Sequence, residues 1–139
     1  LGALITPASP ATELHALRKR CKELRYLLEF FNSLLDPPAY RAVLDQLKAL
    51  QDCLGEFQDS QVERTAISAF AEAILVEGGA SAATFMAMGR AADRLEARQG
   101  GARKLFAARF ARFADKQTRA HMAELGPGSA SGTTPGGER

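Results

Sequence analysis

Apolar residues recur along residues 14–35 at alternating spacings of three and four: Leu14, Leu17, Cys21, Leu24, Leu28, Phe31 and Leu35. That period belongs to one face of an α-helix and predicts a seam turned toward a core. Ser9-Pro10 supplies a start signal, a hydroxyl at the N-cap followed by proline at the first helical position. The spacing therefore predicts a first helix from Ser9-Pro10 to about Leu35. Asp36-Pro37-Pro38 stops it and starts a second helix by the same device, with Val43, Leu44, Leu47, Leu50 and Leu54 on one face. Gly55 is the expected end of that helix, because glycine adopts a left-handed terminal turn at little cost. Asp59 is the expected N-cap of a third, alanine-rich helix that runs to about Glu77 and stops at Gly78-Gly79. A fourth helix is expected from about Ser81 to Arg98, with Phe85, Met88, Ala92 and Leu95 at helical spacing and Gly100-Gly101 breaking it. A last helix is expected from about Ala102 to Glu124, with Phe106, Phe110 and Phe113 on one side. No stretch alternates at the two-residue period of a strand. The expected fold class is all-α, an antiparallel helical bundle of four to five helices joined by short loops over residues 9–125.

Composition narrows the picture. The chain has 139 residues, 46% of them apolar, enough for one compact domain or a piece of a larger protein. Trp is absent and Ala abundant, which favours closely packed helices. Residues 1–8 read as a linker, and the chain starts at Leu1, so a piece cut from a longer protein is expected. Residues 126–139, rich in Gly, Pro and Ser, read as a flexible tail. There is no transmembrane-length apolar run and no secretory signal pattern. Cys21 and Cys53 make neither a disulfide framework nor a metal motif, and Cys21 on the seam reads as a small buried hydrophobe. That usage fits a reducing cytoplasm.

The formal net charge is only +2, so any anionic partner must be argued from where the charges sit. Beside the first apolar seam runs a second stripe: His15, Arg18, Lys22, Arg25 and Glu29, flanked by Lys19 and Tyr26. At about 1.5 Å per residue it extends for roughly 20 Å. The bland reading is a solvated face whose long cations lie along the seam, with Arg25 and Glu29 as an ordinary surface pair. The functional reading is a ladder of donors for an extended polyanion, since no acid interrupts His15, Arg18, Lys22 and Arg25. Arg109, Arg112, Lys116 and Arg119 form a similar stripe on the last helix. If the first and last helices are neighbours, the two stripes line one basic groove.

Catalytic chemistry has little to stand on. The two histidines lie far apart and form no metal-binding pair, so no metal and no cofactor is expected. Cys21 and His15 are six residues apart on one helix and do not face each other. No Gly-rich phosphate loop and no paired carboxylates stand out. The chain is expected not to be an enzyme.

The run His15-Ala-Leu-Arg18-Lys19-Arg-Cys-Lys22-Glu-Leu24-Arg25-Tyr26-Leu-Leu-Glu29, followed by Leu47-Lys-Ala-Leu50-Gln51-Asp-Cys-Leu54-Gly55-Glu-Phe-Gln-Asp59, resembles the CHAD family, the conserved histidine α-helical domain. The resemblance covers about Leu14 to Asp59 directly. It implies a helical domain that binds inorganic polyphosphate between two similar bundles, often fused to a triphosphate-processing domain and in some members associated with polyphosphate granules. Carried over by position, His15, Arg18, Lys19, Lys22, Arg25 and Tyr26 would face or support the ligand. Gly55 would permit close helix approach, and Asp59 would order a turn or a basic side chain. The chain is about half the family's usual length and looks like its second bundle alone. An exposed face, partly apolar and partly basic, is therefore expected, with self-association in place of the absent bundle.

His15 keeps two readings, a hydrogen-bonded interface histidine and a ligand contact. A contact would make binding stronger in mild acid, because phosphate favours the imidazolium. Two further functions compete with polyphosphate binding: docking of an acidic protein partner, and non-specific nucleic-acid binding. Against the last, no aromatic residues are interleaved with the basic ones for base stacking, and Phe106, Phe110 and Phe113 read as core.

Overall fold

The computed structural model describes Thr6 and residues 8–126. The expected tail over residues 126–139, apart from Gly126, and most of the expected linker over residues 1–8 lie outside the described residues. Four α-helices follow in order: α1 (Ala11–Phe30), α2 (Pro37–Glu77), α3 (Ala82–Phe113) and α4 (Lys116–Glu124). A 3-10 turn, Asn32–Leu34, joins α1 to α2. There is no strand among the described residues, and the architecture is the expected all-α bundle.

The start of α2 follows its sequence signal closely. Asp36 caps it by accepting from the Ala39 N–H at 3.1 Å, ahead of Pro37 and Pro38. The start of α1 differs from expectation: Pro10 stands at the N-cap, and the Ser9 hydroxyl accepts instead from the Thr6 N–H at 3.0 Å. α1 also ends before Leu35, at Phe30, where the 3-10 turn takes over.

The largest corrections concern glycine. α2 does not end at Gly55, Asp59 is not an N-cap, and α3 runs through Gly100-Gly101. The magnitudes explain why. A glycine inside a helix costs about 1 kcal/mol relative to alanine. Burying Leu54 and Phe57, both almost wholly buried just beyond or beside Gly55, contributes roughly 1.5–3 kcal/mol each. Ala102 and Phe106 hold α3 across Gly100 and Gly101 in the same way. Among the described residues only Gly78 and Gly79 take positive φ, 73° and 101°, and there the chain does turn. The expected single helix over residues 102–124 is instead divided at Ala114. Asp115 caps α4 by accepting from the Thr118 N–H at 2.7 Å, and the Thr118 hydroxyl donates to the Arg112 carbonyl.

α2 is the central element. α1 packs antiparallel along one side of its first half, and α3 packs antiparallel along another. Their shared core joins Leu14, Leu17, Cys21 and Leu28 of α1, Val43, Leu47, Leu50, Leu54 and Phe57 of α2, and Ala102 and Phe106 of α3. Of the expected α1 seam, Leu24 and Leu35 are half-buried and Phe31 is exposed. Phe106 stacks on Phe110 at 5.6 Å. Beyond Ser60 the α2–α3 pair continues as a two-helix hairpin without α1 alongside, and no residue from 61 to 94 is fully buried.

Candidate functional site

Burying the α1 seam against α2 fixes where the neighbouring stripe points. Arg18, Lys22, Arg25 and Tyr26 form one wall of a cleft of about 480 Å3. α2 supplies the floor through Gln51, Asp52, Gly55, Glu56 and Asp59, which share one helical stripe, and Arg98 of α3 stands opposite. Four cationic side chains thus face three carboxylates.

The cations are not equivalent. Arg25 Nε lies 3.2 Å from Glu29 Oε1, and an Arg25 terminal N–H donates to Gln51 Oε1 at 3.4 Å. Its Nε–H is buried with no acceptor aligned to it. Arg98 Nε pairs with Glu56 Oε1 at 3.4 Å. Among the described residues, no carboxylate forms an ion pair with Arg18 or Lys22. The Lys22 ammonium and the Arg25 guanidinium each stand 5.6 Å from the centre of the Tyr26 ring, so the ring gathers the two cations. Half-exposed ion pairs of this kind contribute about 0–1 kcal/mol and exchange readily for bonds to a bound anion. Charge-assisted bonds from guanidinium and ammonium to phosphate oxygens are the chemistry this wall offers.

The other sequence-derived candidates lie elsewhere. His15 is outside the cleft lining. Its Nδ1 is 3.3 Å from Gln58 Oε1, in a shallow pocket with Ala11, Thr12 and Gln61. That geometry is the interface role. Lys19 is exposed on α1, also outside the lining. The expected second stripe does not join the first. Arg109 donates to the Ala49 carbonyl and so ties α3 to α2. Arg112 and Lys116 are exposed, on either side of the helix break. Arg119 borders a separate groove of about 300 Å3, with Arg20 at its other rim and Leu17, Cys21, Leu24, Phe110 and Phe113 between. Where α1 meets the end of α3 and α4, the lining is apolar, so no shared basic groove forms there.

Gly55 also departs from its expected role. A Cβ placed there meets nothing within 4 Å, so it permits no close helix approach and instead leaves the cleft floor open. Asp59 lies on the floor beside it. The residues that sequence reasoning missed are Gln51, Asp52, Glu56 and Arg98. The signal existed: Asp52, Glu56 and Asp59 share one face of any helix that continues through Gly55.

Neither cysteine is poised as a nucleophile. Burial pushes the Cys21 thiol up to about 11. Burial also raises Cys53, partly opposed by Arg109, and its Sγ–H donates to the Ala102 carbonyl at 2.8 Å. Among the described residues, no helix is long and apolar enough to cross a membrane.

No curated protein and no solved structure is matched by this chain. The model of the CHAD domain matches residues 2–68, a stretch that takes in α1, the first half of α2 and every cleft residue but Arg98. On that match, residues 2–68 are similar to the CHAD domain.

Proposed function

We propose that the cleft binds inorganic polyphosphate, without catalysis. The observation that carries the reading is the wall of Arg18, Lys22 and Arg25 along one helix, with Arg18 and Lys22 free of carboxylate partners among the described residues. The match of residues 2–68 to the CHAD domain, a family associated with polyphosphate, supports it. A chain of phosphates laid along α1 would meet one cation per helical turn. The three floor carboxylates weigh against a ligand that penetrates deeply, so the polyanion would run along the α1 rim. A cytoplasmic location, with association to polyphosphate granules, and fusion to a triphosphate-processing domain in a longer protein belong to the same reading.

The test is binding of long-chain polyphosphate across a salt series, with the triple variant Arg18→Ala, Lys22→Ala, Arg25→Ala as the comparison. Each neutralised phosphate contributes about 0.7–0.9 to the slope of log affinity against log salt, so the variant should lose roughly 2–3 of it at unchanged helicity. Polyphosphate should also displace DNA at equal phosphate concentration. Equal competition by DNA would favour a non-specific basic face, and binding that survives the triple substitution would sink the reading. Adding Arg109→Ala, Arg112→Ala, Lys116→Ala and Arg119→Ala should change the slope little.

A further inference from the structure

The groove of about 300 Å3 shares no residue with the cleft and lies on the other side of the buried α1 seam. Leu17, Cys21 and Leu24 of α1 form one of its sides, and Phe110, Phe113 and Met122 of α3 and α4 form the other. Leu47 and Leu50 of α2 lie beneath. Leu24, Phe110, Phe113 and Met122 pack on the core yet stay half-buried, because the groove stands open beside them. Burial pushes the Cys21 thiol up to about 11, so it lines the groove as a neutral, apolar group. The charged side chains of the lining are Arg20 of α1 and Arg119 of α4, both exposed, and no carboxylate joins them there. Arg119 forms no ion pair among the described residues. Arg20 pairs with Glu23 at 3.1 Å, where both side chains are more than half exposed. A pair so exposed exchanges readily for another anion.

We infer that this groove binds a linear aliphatic carboxylate, with the chain between the helices and the head group at Arg20 and Arg119. Charge selects the head group. An apolar hollow with a few polar groups at its edge is the usual form of a small-molecule site. Here those groups are two guanidiniums, whose paired N–H donors match a carboxylate. A polyanion would find no partner along the apolar stretch between them, so the ligand of the cleft does not suit the groove. Size selects the chain. The α1 side from Leu17 to Leu24 is about 10 Å long at 1.5 Å per residue, which gives the groove a mean cross-section of about 30 Å2. That is the width of one extended chain. At about 30 Å3 for each water-sized group, the volume holds about ten carbons.

The experiment is titration of the full chain with decanoate and with decanol, both below their aggregation limits, at about pH 8, where the carboxylate is ionised. Decanoate should bind saturably and about tenfold more tightly than decanol. The double variant Arg20→Ala, Arg119→Ala changes two exposed positions and should keep its helicity. It should weaken decanoate about tenfold and decanol less than about twofold. Ala114→Leu, which adds bulk to the lining, should weaken both ligands. The cleft variant Arg18→Ala, Lys22→Ala, Arg25→Ala should bind decanoate as the wild type does, so this test stands apart from that of polyphosphate. No saturable binding of decanoate, equal affinity for decanol, or binding that survives the loss of both arginines would overturn the inference. So would binding unchanged by Ala114→Leu, or binding lost in the cleft variant, which would place the carboxylate in the cleft. A solution mass of two chains that decanoate returns to one would make a second copy the occupant, and would overturn it as well.

Discussion

The two halves of α2 are one continuous helix with opposite surroundings. From Val43 to Ser60, one face is buried against α1 and α3, and the other is the polar floor of a cleft. From Val62 to Val76, only α3 lies alongside, and the outward face is apolar. The first half shows how a buried seam leaves the reverse of a helix free for polar work. The second shows that helical continuity does not require a core on every turn: packing on α3 and the backbone hydrogen bond gained at each residue of an already nucleated helix suffice, and an apolar face is left uncovered.

The largest effect that tests this contrast is on stability. Leu50, wholly buried in the first half, should cost about 2–5 kcal/mol on Leu50→Ala. Phe70→Ala in the second half, measured at low protein concentration, should cost about 0.5 kcal/mol or less, although it removes the larger side chain. Equal losses in denaturant titrations would mean that the hairpin is as well packed as the body.

Gly55 gives the next effect, and it separates floor from core. Gly55→Ala should stabilise the protein by about 0.5–1 kcal/mol, because the added Cβ meets open space and the helix gains propensity. Gly55→Leu should keep most of that stability yet weaken polyphosphate binding, since its side chain enters the cleft. A Gly55→Ala variant that loses stability would contradict the open floor.

Glu56→Gln removes a floor carboxylate and frees Arg98. It should tighten polyphosphate binding by about two- to fivefold at low salt, with the gain shrinking as salt screens it. Unchanged affinity at low salt would place the anion away from the floor.

The smallest effect lies at α4. The hydrogen bond from the Thr118 amide is the main cause that holds the Asp115 carboxyl below its ordinary value of 3.8. A carboxyl lowered in the folded state stabilises above its unfolded value and loses that contribution as pH falls through the folded one. Protection of the first-turn amides of α4 against exchange, relative to their intrinsic rates, should therefore fall below about pH 4, and Asp115→Ala should remove this pH dependence.

Much of this was readable before any coordinates. The α1 seam from Leu14 to Leu28, the Asp36-Pro37-Pro38 start of α2 and the Gly78-Gly79 turn all follow local rules; the last two hold in the structure, and the seam holds at Leu14, Leu17, Cys21 and Leu28. The cationic ladder was visible as a spacing, and Arg18, Lys22, Arg25 and Tyr26 do converge on one cleft. Reading Gly55 as a helix end hid the acidic floor, because Asp52 and Asp59 then belonged to different elements. The basic stripe over Arg109, Arg112, Lys116 and Arg119 was a true periodicity with the wrong neighbour.

The sequence by itself determined that the chain is helical and which residues of α1 and of the first half of α2 are buried, because period and capping act through residues a few positions apart. It also carried the match of residues 2–68 to the CHAD domain. Only the tertiary structure decided which glycines end a helix, since a penalty of about 1 kcal/mol is outweighed wherever flanking apolar side chains are buried elsewhere. It alone decided which charges meet: α1 and α3 flank α2, so Arg98 faces the ladder and the last-helix stripe does not.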